Sequence, residues 1–145
     1  MAHLIFSALP QPRRPIVFIN DDATVDECVK VMTELDIGAL VIRNNKDDLH
    51  GIVSERDVVR ACLHRGLDPH TTTAGEIAYT AVSVLNLFDP IEKAMEVITQ
   101  TKRRHVLVKE ESEIIAILSI GDLLFHLLED KTRVIEQLEN YIHTY

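Results

Sequence analysis

The sequence predicts an α+β fold written out twice, as two tandem β-α-β-β-α repeats with pseudo-two-fold symmetry, the sheets packed together and the helices outside. Three observations carry that prediction. The chain matches itself over most of its length when slid along itself. Each copy runs through the same succession of apolar periods. A Ser-x-x-Asp follows an apolar run both in Gly51–Arg60 (GIVSERDVVR) and in Ala116–Phe125 (AILSIGDLLF). With 145 residues, 46% of them hydrophobic, the chain closes one compact domain, so the duplication is one of half-sized lobes. A lobe of about 60 residues buries too little surface to stand alone, which is why the two sheets are expected to pack against each other.

Each repeat opens with a brief strand, Val17 to Ile19 in the first copy and Val82 to Leu85 in the second. Val25, Cys28, Val29, Met32 and Leu35 then recur at helical spacing, and Ile91, Ala94, Met95 and Ile98 repeat the stripe, which makes both segments amphipathic helices. A shift of 66 places pairs Val25 with Ile91, Val31 with Val97, Thr33 with Thr99 and Leu40 with Val106. Short apolar runs, Ala39 to Ile42 and Val106 to Val108, open antiparallel hairpins whose turns are the polar stretches Asn44 to Asp48 and Lys109 to Glu113. Past the turn the shift is 65, so that Gly51 meets Ala116, Ile52 meets Ile117, Ser54 meets Ser119 and Asp57 meets Asp122. One residue is missing in between, and a turn is where length changes most easily. Val58 to Leu63 and Leu123 to Leu128 return to helix, Gly66 suits the end of the first, and the stretch through Asp68, Pro69, Thr71, Thr72 and Gly75 joins the copies. The chain is accordingly divided into a first repeat with its N-terminal segment (1–70), a second repeat (71–130) and a C-terminal helical extension (131–145).

Composition removes several function classes. A formal charge of −8 repels nucleic acid and anionic membranes, so neither is an expected partner. Cys28 and Cys62 lie inside apolar patterns and belong to no zinc-type spacing, which reads as buried reduced thiols and no metal site. The apolar piece Leu4 to Leu9 is too short for a signal-peptide core, no segment could span a bilayer, and a cytoplasmic location is expected. Seven histidines, among them His64, His70, His105, His126 and His143, form no metal or catalytic motif, and five glycines form no phosphate loop. No catalysis and no catalytic cofactor are expected.

Ser54 and Ser119 stand where a strand stops and a helix starts, with an acidic residue three places on. Two roles fit. One is a capping box, which stabilises a helix by about 1 kcal/mol. The other is a ligand seat, because a helix start offers free amides and the positive end of the dipole to a phosphate. Capping boxes favour the longer Glu or Gln at the third position, whereas both copies carry Asp, and that tilts the reading toward a ligand. A carboxylate repels phosphate, so Asp57 and Asp122 would accept hydrogen bonds from ribose hydroxyls while the serines touch the phosphate. Counter-charge is at hand in Arg56 and in the run Lys102, Arg103, Arg104, which is either solvated surface or an anion contact.

Strand, helix, hairpin, helix, given twice with apolar-x-x-Ser-x-x-Asp opening each last helix, resembles the paired cystathionine-β-synthase-type (CBS) domain, also called a Bateman module. The wording of GALVI, GIVSERDVVR, RRHVLV and SIGDLL is similar to that family's, and the resemblance runs from about Phe6 to Leu128. It implies binding of adenosine-containing ligands (AMP, ADP, ATP, NAD or S-adenosylmethionine, with AMP the foremost candidate) in clefts between the copies. On that resemblance Ser54 and Ser119 contact phosphate, Asp57 and Asp122 hold ribose, and the strand entrances at Val17, Phe18, Ala81 and Val82 receive the adenine edge. Ile37, Gly38 and Ala39 in the first copy and Arg103, Arg104 and His105 in the second would line the same clefts. Only the second copy has Arg at that entrance, so its site is expected to hold phosphate better. Ala116 stands where the family usually has Gly.

A ligand-free interaction scaffold is the competing reading. Leu123, Leu124, Phe125, Leu127 and Leu128 cover more than one helix face, as do Val58, Val59, Cys62 and Leu63, a surplus that points to a homodimer, the assembly the resemblance also implies. Val134, Ile135, Leu138, Tyr141 and Ile142 would extend the last helix onto the partner subunit. The expected role is a regulatory module read by an unidentified protein.

Overall fold

The computed structural model describes residues 3–10 and 14–144, and past residue 129 only the helix backbone with the side chains of Glu136, Glu139 and Asn140. In chain order the elements are α1 (Ile5–Ala8), β1 (Phe18–Asn20), α2 (Val25–Leu35), β2 (Ala39–Arg43), β3 (Leu49–Ser54), α3 (Glu55–Val58) with a π-helical continuation (Val59–His64), α4 (Ala74–Ile77), β4 (Val84–Asn86), α5 (Ile91–Thr101), β5 (His105–Glu110), β6 (Glu113–Ser119) and α6 (Ile120–Thr144). They form two compact units, Pro15–Val82 and Met1–Arg14 with Ser83–Tyr145. The α+β class and the doubled repeat hold.

Each unit is built on a mixed three-stranded sheet, ordered β1-β2-β3 in one and β4-β5-β6 in the other. Register shows how literal the repetition is. Phe18 lies opposite Val41 and Val84 opposite Leu107 in parallel pairs, and both partners differ by 66 (18 + 66 = 84; 41 + 66 = 107). The hairpins match too, Ala39 facing Ser54 as His105 faces Ser119, and each has its register shift at the same place, Ile42/Arg43 and Val108/Lys109. Arg43 faces Leu49 across five residues and Lys109 faces Ile114 across four, so the missing residue falls in the hairpin turn. Helices α2 and α5 both end on a left-handed residue, Asp36 at φ 52° and Lys102 at φ 58°, which turns the chain sharply into the central strand. β2 and β5 are buried along their apolar lengths, and Leu40, Ile42, Val106 and Val108 sit at the heart of their units' cores.

The short helices α1 and α4 have no counterpart in the repeat read from the sequence, yet each completes a core. Ile5 and Ala8 are buried among Leu85, Ile91, Ile98 and Leu118, while Ala74 and Ile77 are buried among Val25, Cys28, Leu40 and Val53. Their backbones dock alike. The Val25 N–H donates to the Thr72 carbonyl at 2.9 Å and the Ile91 N–H to the His3 carbonyl at 2.8 Å; Thr24 bridges Thr73 as Pro90 bridges Leu4. These segments correspond at a shift of 69 (4 + 69 = 73; 3 + 69 = 72). Each leader precedes one repeat in sequence and fills the core of the other, so the compact units divide at Val82, downstream of the division between the sequence repeats.

The stretch after α4 also explains a difference between the repeats. Tyr79 exchanges both backbone hydrogen bonds with Ile52, at 2.8 and 2.9 Å, and a Cβ on neighbouring Gly51 would lie 2.3 Å from the Tyr79 carbonyl oxygen. Gly51 is thus fixed by the close approach of backbone. At the matching place of the second copy Ala116 is accommodated with its methyl buried. The predicted helix Val58 to Leu63 forms, but from Val59 onward it is π-wound, and Gly66 closes it at φ 75°. α6 carries the C-terminal extension to Thr144. The side chains of Val134, Ile135, Leu138, Tyr141 and Ile142 lie outside the described residues. Among the described residues no helix is long and apolar enough to cross a membrane. Replacing Gly51 by Ala is expected to lower stability by about 1–3 kcal/mol through overpacking against Tyr79, whereas Ala116→Gly costs less than about 1 kcal/mol. Urea unfolding of the two variants beside the parent chain checks the contrast.

Candidate functional site

At the end of each sheet where the central strand begins, the antiparallel neighbour stops and runs directly into a helix. In the Pro15–Val82 unit this brings Ile37, Gly38 and Ala39 beside Ser54: Ala39 faces Ser54 across the hairpin, and the Glu55 N–H donates to the Gly38 carbonyl at 3.0 Å. In the other unit His105 faces Ser119, and the Ile120 N–H donates to the Arg104 carbonyl at 2.8 Å. Val17 and Phe18 join the first group, because the Val17 carbonyl accepts the Val41 N–H at 3.1 Å. The same bond in the second copy is made by Ser83, at 2.9 Å from Leu107 N. The entrance matching Val17 and Phe18 is therefore Ser83 and Val84, two places beyond the expected Ala81 and Val82; those two precede β4 and close the first-repeat unit.

The junction carboxylates turn back on their own helices. Asp57 Oδ2 accepts the Ser54 N–H at 2.9 Å and the Ser54 hydroxyl at 2.8 Å, while Ser54 Oγ accepts the Asp57 N–H at 3.3 Å. Asp122 Oδ2 accepts the Ser119 N–H at 3.0 Å, and Ser119 Oγ accepts the Asp122 N–H at 3.0 Å. Both are closed capping boxes, although such boxes favour Glu or Gln at the third position. With Ser54 extended at φ −109°, ψ 167°, the strand end lies close enough for the shorter arm. Capping uses one oxygen of each carboxylate. It also fixes the rotamer of the acid and delivers it, 8% exposed at Asp57, to the same place in both copies.

The surroundings differ in charge. Positions 37, 38, 39 and 55 are Ile, Gly, Ala and Glu in the first copy; their counterparts Arg103, Arg104, His105 and Ile120 make the second junction basic and apolar. Arg56, between the capping pair, is half-buried. Phe18 is covered by Arg43, whose guanidinium carbon is 3.2 Å from the ring centroid. Sequence reasoning missed Arg14, which donates from Nη2 to Asp122 Oδ1 at 2.9 Å. Only its place between two prolines, near the start of the repeat, marked it.

Other chemistry is sparse. Cys28 is buried, and burial, reinforced by the neighbouring charge of Glu27, pushes its thiol up to about 11. A folded-state value above the usual 9.0 means that its contribution to stability is present below pH 9 and lost as pH rises toward 11. Among the described residues no three His, Cys, Asp or Glu side chains cluster as a metal site.

A family model for the CBS domain matches residues 7–64 and 74–129. The chain belongs to the CBS-domain family. Among curated CBS relatives it is 33% identical over 114 residues to Hypoxic response protein 1 of Mycobacterium tuberculosis, covering 79% of this chain and 80% of that protein. The crystal structure of Hypoxic Response Protein I with two coordinated zinc ions superposes with a TM-score of 0.69 at 30% identity, over 86% of this chain and 98% of the other. A CBS domain protein from Pyrobaculum aerophilum, complexed with AMP, gives a TM-score of 0.75 at 29% identity, over 90% and 99% of the two chains.

The two boxes should behave as caps whatever else they do. Ser54→Ala or Ser119→Ala is expected to lower stability by about 1 kcal/mol, and Asp57→Ala by about 1–2 kcal/mol because its oxygen serves both the Ser54 backbone and hydroxyl. Denaturant titration measures both; a change below about 0.3 kcal/mol at Asp57 would remove the capping role.

Proposed function

We propose that this chain is a non-catalytic regulatory module that binds adenosine-containing ligands, AMP foremost, at its two Ser-x-x-Asp junctions. The observation that carries the reading is the duplicated junction, which presents a rotamer-locked carboxylate beside helix-start amides twice in one family member. A carboxylate accepts a ribose diol, and helix-start amides suit a phosphate. The AMP complex of the Pyrobaculum aerophilum relative supports the choice of ligand class. Ser54 and Ser119 contact phosphate and Asp57 and Asp122 the ribose. Val17 and Phe18, with Ser83 and Val84 replacing Ala81 and Val82, present backbone to the base. Ile37, Gly38, Ala39 and Arg56 line the first site, and Arg103, Arg104 and His105 the second. The second site holds phosphate more tightly, since Arg103 and Arg104 replace Ile37 and Gly38. Occupancy biases the arrangement of the two repeats, which a partner protein in the cytoplasm reads.

The module acts as a homodimer. Leu63 is 81% exposed, Phe125 65% and Leu128 62%, a surplus of apolar surface on the helices that follow the junctions, and burying it in a second copy is favourable.

Thermal melts with AMP, ADP, ATP, NAD and S-adenosylmethionine test the ligand. The melting temperature is expected to rise with AMP concentration, and the rise to vanish in the Asp57→Ala, Asp122→Ala double variant. Melts indifferent to all five compounds would leave the alternative of a ligand-free interaction scaffold. For the assembly, Phe125→Asp with Leu128→Asp should bring the sedimenting species to monomer mass. An unchanged dimer excludes this face from the interface.

A further inference from the structure

Asp122 has two oxygens, and its own fold fills both. Oδ2 accepts the Ser119 N–H at 3.0 Å, as the capping box requires. Oδ1 is the oxygen left for a ligand, and it accepts Nη2 of Arg14 at 2.9 Å from a point 108 residues earlier in the chain. The Arg14 side chain is 63% exposed and that of Asp122 15%, so the cation lies largely in solvent while the anion is held by its cap. The pair therefore has one solvated and one anchored partner.

We infer that Arg14 is a latch on the second junction: its guanidinium occupies the oxygen of Asp122 from which a ribose hydroxyl must be held, and a ligand enters by displacing it. This rests on the reading of Asp122 as a sugar-binding carboxylate. An ion pair with one exposed member weakens as salt is added, so ionic strength loosens the latch.

The test titrates the full chain and its Arg14→Ala and Arg14→Lys variants calorimetrically with AMP and with adenosine, at low and at high salt. Removing the guanidinium is expected to tighten both ligands at one of two sites by about two- to fivefold, the range of an exposed pair, with Arg14→Lys between the two. Adenosine, which has no phosphate to be screened, should bind the parent chain better as salt rises and the Arg14→Ala variant indifferently. Equal affinities for parent and Arg14→Ala overturn the latch and leave the nucleotide reading standing. Weaker AMP binding by Arg14→Ala with adenosine unaffected also overturns it, making Arg14 a phosphate contact. Absence of binding in all three proteins removes the nucleotide reading and the latch with it.

Discussion

Two backbone hydrogen bonds organise this fold: Val25 N–H to the Thr72 carbonyl, and Ile91 N–H to the His3 carbonyl. Each satisfies a donor at the start of a helix that would otherwise be orphaned, and each anchors a four-residue leader that is far too short to persist alone. Once anchored, the leaders deliver Ile5 with Ala8, and Ala74 with Ile77, to cores in which they are fully or almost fully buried. Truncation of a buried isoleucine to alanine typically costs about 2–5 kcal/mol, against a whole-domain stability of about 5–15 kcal/mol, so neither core tolerates the loss of its leader lightly. Gly51 and the Tyr79 bridge follow from the same docking, because α4 leads the chain back over β3.

In the proposed function one arrangement at the junctions serves stability and recognition together. A carboxylate committed to its own backbone through one oxygen is not removed from chemistry; it is aimed. The cap fixes the side chain at no further entropic cost when a ligand arrives, which is the condition for a site built on rigid elements. The two readings of Ser-x-x-Asp that the sequence left open, cap and ligand seat, are accordingly compatible. The capping half is on view in the hydrogen bonds of Ser54 with Asp57 and Ser119 with Asp122.

Much of this was legible in the sequence because it is written in side-chain periods. The stripes of α2 and α5, the two hairpins, the residue missing from the second turn and the Ser-x-x-Asp junctions all come from patterns that survive translation along the chain. What was not legible lacks a period. A four-residue helix shows no stripe, and the leaders match each other at 69 where everything downstream matches at 66, so self-comparison passed over them. The π winding after Val58 changes the hydrogen bonds but not the apolar pattern. The second strand entrance was placed two residues early because Ala81, Val82 and Val84 look alike to a β pattern, and only the register against Leu107 separates them. Arg14 escaped because an ion pair across more than half the chain leaves no trace in local spacing.

The crossed leaders also bear on ancestry. A lone repeat of this design would lack the helix that the other repeat's leader supplies to its core, and a second polypeptide lending its leader is the exchange that would fill the gap. Joining two such genes end to end would have turned a loan between molecules into one within a molecule, and the three-residue difference in leader spacing is then free to drift separately in each half.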